Sequence, residues 1–172
     1  MRKAGRRDAG DGKRGVPPRS AADLEGMGVA LAEARAAVTL EEVPVGAAVV
    51  HDGAVVARAH NATVTRRDPT AHAELLAIQQ ALRHLETDRL TDCTLYVTLE
   101  PCAQCAGAIV LAKVGRVVFG AYDPKAGMAG SVGDLLRDPN LNHRPEVIGG
   151  VLAEQGGGLL QDFFEARRQT SR

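Results

Sequence analysis

Two runs rich in β-branched residues meet at an Asp-Gly pair in the first third of the chain. The runs span residues 45–51 and 54–60, and Asp52-Gly53 separates them. This arrangement predicts a β-hairpin, because a two-residue turn between strands needs residues that tolerate positive φ. The hairpin places an antiparallel strand pair near the start of the fold.

Helical and strand patterns alternate after the hairpin. Asp68-Pro69-Thr70 predicts a turn and a helix start, and apolar residues at 75, 78, 82 and 85 predict a helix of about four turns. This order predicts an α/β fold with a sheet of about five strands and helices on both faces. Strands joined through helices should run parallel. The other predicted strands are 94–98, 114–120 and 146–150, the other helices are 21–38, 103–112 and 152–168, and a short helical stretch lies near 132–137.

Positive charge is concentrated before the first predicted helix. Residues 1–20 carry seven basic and two acidic side chains, although the whole chain has a formal net charge of zero. A Gly- and Arg-rich segment without apolar periodicity buries too little surface to become ordered. We therefore predict a disordered basic tail over 1–20 and a single domain over 21–172. Met27 opens the amphipathic part of the first helix, so a translation start there stays open. The predicted apolar stripe of that helix is Leu24, Met27, Leu31, Ala34 and Val38.

The composition excludes several classes of protein. The 172 residues are 45% hydrophobic and 24% charged, which is ordinary for a globular domain that folds without disulfide bonds. The longest uncharged apolar stretch, 106–112, is far too short to span a membrane, and no apolar run follows the basic N-terminal segment. Two of the three cysteines form C-x-x-C, which indicates reduced thiols and a cytoplasmic location. Secreted, membrane and fibrous proteins are excluded.

Two short motifs carry the chemistry. His72-Ala73-Glu74 and Pro101-Cys102-Ala103-Gln104-Cys105 each stand at a predicted helix start. One imidazole and two thiolates are good ligands for Zn²⁺, and three protein ligands leave a fourth tetrahedral position for water, whose pKa zinc lowers to about 7. Glu74, two residues after His72, is then predicted to shuttle the proton of that water.

Other interpretations of these residues stay open at this point. The C-x-x-C pair could be a redox dithiol, and His72 could be an ordinary core histidine. Cys93 could complete a closed structural zinc site. However, Cys93 begins the strand whose far end leads to Cys102, a separation of roughly 15–20 Å. We favour a zinc site of His72, Cys102 and Cys105, with Cys93 as a small core residue.

H-x-E followed by P-C-x-x-C is the signature of the zinc-dependent deaminases. Over about residues 27–168 the chain resembles, more specifically, the bacterial tRNA-specific adenosine deaminases. It departs from them at Gln104, where the family usually has Met, and in the segment before Met27, which has no counterpart in a typical member. The blocks that carry the resemblance are EVPVGA (42–47), HN (60–61), DPTAHAE (68–74), TLEPC (98–102), CAGAI (105–109), DPKAG (123–127), NHR (142–144) and FFEARR (163–168).

The resemblance implies a three-layer α/β/α cytidine deaminase-like fold with a central mixed sheet. It implies one zinc ion per subunit, on His72, Cys102 and Cys105, with Glu74 as the catalytic proton shuttle and no other cofactor. It further implies a cytoplasmic homodimer that hydrolyses the wobble adenosine of a tRNA anticodon, that of an arginine tRNA, to inosine. Asn61 would hydrogen-bond the target base. The remaining residues placed at the base are Pro44, Val45 and Ala73.

The charge and aromatic content limit how RNA could bind. The chain beyond residue 20 is net negative, which argues against non-specific affinity for a polyanion, so local basic residues must contact the substrate. We predict these at Lys125, Arg144 and Arg167-Arg168.

Five aromatic residues are too few for an extended stacking platform, so we expect a pocket for one splayed base, with Phe163-Phe164 anchoring the last helix in the core. Two other functions stay open besides tRNA deamination. The alternative is a deaminase of a free nucleobase or nucleoside, of the cytosine or guanine type. A third hypothesis is a zinc-stabilised binding module without catalysis.

Overall fold

The computed structural model describes residues 20–170. The predicted basic tail lies outside this range apart from Ser20, whose side chain accepts a hydrogen bond from Asp23 N and so caps the first helix. Four helices and five strands follow, with a short 3₁₀ helix at Leu135–Arg137. The elements are α1 (Ala21–Thr39), β1 (Gly46–His51), β2 (Ala54–His60), α2 (Ala73–His84), β3 (Cys93–Leu99), α3 (Ala103–Leu111), β4 (Arg116–Ala121), β5 (Glu146–Ile148) and α4 (Ala153–Thr170).

The predicted hairpin is confirmed. β1 pairs antiparallel with β2, with Gly46 opposite His60 and His51 opposite Ala54. The turn residues Asp52 and Gly53 have φ values of 49° and 77°. Both are positive, as a tight two-residue hairpin turn requires.

The five strands form one mixed sheet in the order β2-β1-β3-β4-β5. β1 is antiparallel to both β2 and β3, so β2 and β3 run in the same direction across it. β3, β4 and β5 pair parallel. The expected antiparallel first pair and the common direction of strands joined through helices are both confirmed, and the carboxyl ends of β3 and β4 meet at one edge of the sheet.

Helices cover both faces of the sheet, which gives the three layers. The larger core cluster lies under α2 and α3 and includes Leu95, Val97 and Phe119. The smaller one lies under α1 and α4 and includes Tyr96 and Val118. Successive residues of β3 and β4 thus alternate between the two clusters, as the two-residue period of a strand dictates.

The predicted stripe of α1 is wrong at both ends. Leu24 and Val38 are each 41% exposed, although Met27, Leu31 and Ala34 are buried as expected. The helix turns small residues toward the sheet, and a Cβ placed on Gly46 would lie 2.0 Å from the carbonyl oxygen of Ala30. This close approach, rather than the larger side chains, decides which face is buried. The buried residues of α1 are Asp23, Gly26, Met27, Ala30, Leu31, Ala34 and Ala37.

The predicted apolar stripe of α2 is confirmed at Ile78, which is buried, and at Leu82 and Leu85, which pack against the larger core cluster. The helix has 12 residues, about three turns rather than four, and its fully buried apolar positions are dominated by alanines at 73, 77 and 81. Leu75 and Leu82 are half-buried. The small side chains let α2 lie close to the sheet, because they keep little bulk between helix and strand backbones.

The first turn of α1 is tied to the sheet by a buried ion pair. Asp23, 1% exposed, accepts hydrogen bonds from Arg116 of β4 at 2.6 and 2.9 Å and from the hydroxyl of Tyr96. The Arg116 guanidinium lowers the pKa of Asp23 to about 2. The residues of α1 that precede Met27, 21–26, therefore belong to the packed structure. No helix within residues 20–170 is both long and apolar enough to cross a membrane.

Candidate active site

The residues of both predicted motifs lie at the edge where the carboxyl ends of β3 and β4 meet. His72 is the N-cap of α2 and Cys102 is the N-cap of α3, both in extended backbone conformation. Cys105 follows one turn into α3 and is fully buried. The two helix starts converge on one point, with their N-terminal partial positive charges directed at the thiols.

The imidazole and the two thiols are spaced for a single metal ion. The Nδ1 atom of His72 lies 3.5 Å from Sγ of Cys102 and 3.6 Å from Sγ of Cys105, and all three donor atoms lie within 4.8 Å of one another. Tetrahedral zinc with its usual bond lengths to sulfur and nitrogen would separate these donors by about 3.5 Å. The donor set and its spacing therefore fit Zn²⁺. Cys93 begins β3, opposite His51, and lies outside this group.

The two thiols differ in proton affinity. Hydrogen bonds from Cys105 and His72 lower the pKa of the Cys102 thiol to about 3. The hydrogen bond to Cys102 and burial raise the pKa of the Cys105 thiol. One thiolate is thus already favoured, and a cation would complete the deprotonation of the pair.

Glu74 lies in the first turn of α2, next to these donors. Its side chain is buried, with 4% of the residue exposed. Burial raises the pKa of Glu74 to about 7, although a hydrogen bond from its own backbone N–H and the nearby His72 oppose the shift. A carboxyl group that titrates near neutral pH can both take up and release a proton there, which suits general acid–base catalysis.

A cavity of about 240 Å³ opens in front of Glu74 and the donor group. It is lined from the loops before β1, after β2 and after β4, as well as from the two helix starts. Its size suits one base, because sites for larger organic ligands usually occupy about 300–1,000 Å³. The lining residues are Val43, Val45, Asn61, Thr63, His72, Glu74, Leu99, Glu100, Cys102, Asp123 and Ala126.

Comparison with known proteins agrees with this geometry. The sequence profile of the MafB19-like deaminases matches residues 22–168. The tRNA-specific adenosine deaminase of Bacillus subtilis (strain 168) is 50% identical over 143 residues, which cover 83% of this chain and 89% of that protein. This chain belongs to the family of tRNA-specific adenosine deaminases.

Solved structures agree with this assignment. A structure from a study of A-to-I editing by tRNA:A34 deaminases at the wobble position of transfer RNA has a TM-score of 0.76 and 43% identity. It covers 79% of this chain and 99% of its own. A guanine deaminase from Nitrosomonas europaea has a TM-score of 0.72 and 27% identity, and covers 85% and 86%. The resemblance inferred from the motifs and the cytidine deaminase-like fold are both confirmed.

Of the residues predicted to contact the base in this member of the tRNA-specific adenosine deaminase family, two line the cavity and two do not. Asn61 and Val45 line the cavity. Pro44 is buried beside Val45, and Ala73 is 0% exposed in the larger core cluster, so neither lines it. The side chain of Ala73 packs into the core because it lies on the sheet side of α2.

The predicted basic residues lie outside the cavity. Lys125 is exposed, between the lining residues Asp123 and Ala126. Arg144 follows His143, which hydrogen-bonds the carbonyl oxygen of Val114 just before β4 begins. The cavity lies beyond the opposite end of β4, roughly 16 Å away by strand length. The structure therefore does not bring Arg144 to the cavity of its own chain.

The sequence reasoning missed two buried carboxylates that hold the cavity walls. Glu42 accepts hydrogen bonds from Asn61 Nδ2 at 3.2 Å and Thr65 N at 2.6 Å. Glu100 accepts from the backbone N–H groups of Asp123, Ala129 and Ser131 at 2.9–3.0 Å and from the Ser131 hydroxyl. Both lie in family-like blocks, EVPVGA and TLEPC, but nothing in a glutamate's sequence position shows what it accepts. The cavity lining missed from the sequence is Val43, Thr63, Leu99, Glu100, Asp123 and Ala126.

Gln104, the departure from the usual family residue, links the two helix starts. Its Nε2 donates to the carbonyl oxygen of Thr70 at 2.9 Å and lies 4.0 Å from Sγ of Cys105. The amide thus connects the segment before His72 with the first turn of α3. Gln104 contacts the metal side of the site and is absent from the lining of the cavity.

A second, wider groove of about 970 Å³ separates the Lys125 loop from α4. Lys125, Arg167 and Arg168 lie along it, together with Phe164. Phe164 is 43% exposed, and neither Phe163 nor Phe164 belongs to a core cluster, so the predicted core anchor is wrong. The two rings instead contact each other at 5.5 Å, with the Arg167 guanidinium over Phe163.

Proposed function

We propose that this chain is a zinc-dependent hydrolase that converts adenosine to inosine at the wobble position of a tRNA anticodon, that of an arginine tRNA. The observation that carries the proposal is the convergence of three metal donors and a buried glutamic acid at one single-base cavity. The tRNA substrate is supported by relatives whose names specify it, at 50% identity over most of both chains.

One zinc ion would be held by His72, Cys102 and Cys105. When bound, zinc lowers the pKa of a coordinated water toward 7, so that a nucleophile is available at neutral pH. Glu74 is the residue we assign to proton transfer. Its carboxylate would take a proton from the attacking water and deliver it to N1 of adenine as the water oxygen bonds to C6. A second proton transfer, from the new hydroxyl group to the amino group, would let the C6–N bond break and ammonia leave.

The cavity walls would orient the base. Asn61 would hydrogen-bond it, and Val45 would contact its ring through the apolar side of the cavity. Pro44 and Ala73 would act indirectly, by fixing the backbone next to the cavity-lining residues Val45 and Glu74. A base seated in the cavity would displace water from the reacting atoms, which strengthens electrostatic interactions there.

The groove beside α4 would take the RNA around the flipped base. Lys125, Arg167 and Arg168 offer positive charge along it, and phosphate contacts of this kind position an RNA without reading its sequence. Arg144 is too far away to contact the same base from its own chain, so it would contact a more distant part of the anticodon stem or a site on a second subunit.

We also propose that the protein acts as a cytoplasmic homodimer. Reduced thiols in the metal site and a tRNA substrate support the cytoplasmic location. The outer face of α3 supports self-association, because it exposes Leu111 at 81% beside the small residues Ala103 and Gly107. Sedimentation of the purified protein should show a dimer.

A synthetic anticodon stem-loop tests the function. Zinc-loaded protein should convert adenosine at the wobble position to inosine and should leave a stem-loop with guanosine there unchanged. Free adenine, guanine, cytosine and their nucleosides form the second arm, since the guanine deaminases share this fold at 27% identity. Turnover of a free base without inosine in the stem-loop would replace the proposal with the free-base alternative. Bound zinc without turnover of any substrate would favour a non-catalytic binding module.

A further inference from the structure

Glu42 is a buried carboxylate directly behind the base-facing side chain Asn61. It follows α1 in the chain, is 0% exposed, and is absent from the cavity lining, whereas its neighbour Val43 and its partner Asn61 both line the cavity. One oxygen, Oε2, accepts from Asn61 Nδ2 at 3.2 Å, and Thr63 Oγ1 lies 3.5 Å from the same atom. The other, Oε1, accepts from the backbone N–H of Thr65 at 2.6 Å.

These bonds fix which end of the Asn61 amide points where. An ionised carboxylate only accepts hydrogen bonds, so the NH₂ group of Asn61 must face Glu42. The reversed amide would press its carbonyl oxygen against a carboxylate oxygen. Thr63 Oγ1, 3.3 Å from Asn61 Nδ2, holds the same end of the amide.

Glu42 is held in its charged form. Burial by itself would raise the pKa of Glu42, but hydrogen bonds from the backbone and side chain of Thr65 keep it below its ordinary value. The backbone of Asn61 is fixed separately, because its N–H donates to the carbonyl oxygen of Val45 at 3.0 Å. The backbone bond leaves the side-chain amide to be oriented by its own hydrogen bonds, those to Glu42 and Thr63.

We propose that Glu42 is a positioning residue for substrate recognition, which locks the amide of Asn61 and the segment 61–65 in their orientation toward the base. The inference rests on the proposed function, because it assumes that Asn61 meets the target base. Glu42 itself touches no substrate and acts through Asn61. Its contribution should therefore depend on the presence of Asn61.

A double-mutant cycle with Asn61 tests this dependence. Glu42→Gln keeps the shape but replaces the carboxylate by an amide, whose NH₂ group donates and whose oxygen accepts, so it no longer dictates the orientation of the Asn61 amide. We expect kcat/KM on the wobble-adenosine stem-loop to fall about tenfold or more, mainly through a higher KM, with zinc content unchanged. In the Asn61→Ala background the same substitution should cost less than about threefold.

Glu100→Gln is the matched control, because it removes a buried carboxylate charge at the same cavity without contacting Asn61. Its effect and that of Asn61→Ala should add. If Glu42→Gln does not fold, Glu42→Asp keeps the charge and withdraws it by one methylene, and the same dependence on Asn61 should appear. The amide ¹H–¹⁵N resonances of Asn61 provide a readout without substrate, and they should shift in the Glu42 variants and stay in place in Glu100→Gln.

The possible failures are distinguishable. If the wild-type protein forms no inosine, the proposed function is overturned, and the substrate role of Glu42 is overturned with it. If the wild type is active but the losses from Glu42→Gln and Asn61→Ala add, Glu42 is merely structural and the inference alone is overturned. Unchanged Asn61 amide resonances in Glu42→Gln would overturn it as well.

Discussion

Glu74 and Glu100 are both buried carboxylates at the same cavity, yet their surroundings shift their pKa values in opposite directions. Burial raises the pKa of Glu74 to about 7. Burial would also raise the pKa of Glu100, but the Ser131 side chain and the backbone N–H groups of Asp123, Ser131 and Ala129 hold it below its ordinary value. The number of donors facing the carboxylate decides which effect is larger.

The difference separates two tasks. Glu74, with few donors around it, can gain or lose a proton near neutral pH and can therefore transfer one. Glu100 stays charged and holds the loop after β4, which contributes Asp123 and Ala126 to the cavity. The cavity thus has one carboxyl group that can change its protonation state, Glu74, and one that stays ionised, Glu100. Substituting each glutamate by glutamine tests this division, because the shape is preserved and only the charge and the proton are removed.

The largest effect is expected on turnover by Glu74→Gln. Loss of the group that we assign to proton transfer should lower kcat by roughly 10²–10⁴-fold, with one zinc per chain retained. Single-turnover kinetics on the stem-loop and elemental analysis measure the two quantities. The control is Glu154→Gln, the same change at an exposed first-turn position of α4, which should leave kcat unchanged. A loss of less than tenfold in Glu74→Gln would assign the proton transfer to another group.

The same substitution should stabilise the metal-free protein at neutral pH. The folded pKa of Glu74, about 7, lies above its ordinary value of 4.5, so the wild type is destabilised once pH rises through this window. Glutamine has no charge to bury. At pH 8 the free energy of unfolding of Glu74→Gln should therefore exceed that of the wild type by about 3 kcal/mol. Urea unfolding in the presence of a chelator measures the difference. It should shrink as pH falls from 7 and vanish below 4.5, and a difference independent of pH would contradict the assignment.

Glu100→Gln should act in the opposite direction. The amide NH₂ would face N–H donors that now meet a carboxylate oxygen, so the free energy of unfolding at pH 7 should fall by about 2 kcal/mol. Because the folded pKa of Glu100 is lowered, this loss should diminish as pH falls below the ordinary glutamate range. Urea unfolding midpoints of wild type, Glu100→Gln and the exposed control Glu25→Gln provide the comparison. An unchanged midpoint in Glu100→Gln would show that its hydrogen bonds add nothing to stability.

The sequence predicted the convergence of the candidate metal donors, because the information that marks them is local. A hairpin with Asp52-Gly53 determines its own turn, and His72, Cys102 and Cys105 are recognisable as candidates because only a few residue types can hold a metal ion. Strand ends were placed within about two residues for the same reason: alternation of apolar residues is a local property.

The roles of two buried carboxylates at the cavity were not predictable in this way. Glu42 and Glu100 obtain their roles from donors 19 to 31 positions away in the chain, such as Asn61 and Ser131. The prediction was wrong at both ends of the buried stripe of α1 for a similar reason, because close packing of glycine and alanine against the sheet decides that face, and hydrophobicity patterns weight large side chains. The roles of these glutamates and the buried helix face both depend on contacts between distant parts of the chain, which form only when the chain folds.

The smallest effect is expected at Gln104, which lies beside the candidate metal donors without carrying a charge. Gln104→Met restores the usual family residue and removes the hydrogen bond to Thr70 O and the amide beside Cys105 Sγ. Partners of metal ligands typically affect affinity by about 10–100-fold, and at 4.0 Å from sulfur we expect the zinc dissociation constant to rise by less than about tenfold. Competition with a chromophoric chelator measures it, and Gln79→Met, on the exposed side of α2, is the control.

Because Gln104 donates to the segment before His72, its loss should loosen the candidate metal donors. It should leave unaltered the pH dependence of unfolding, which reports on Glu74 and Glu100. A change in that pH dependence would show that the metal donors and these glutamates are coupled rather than independent.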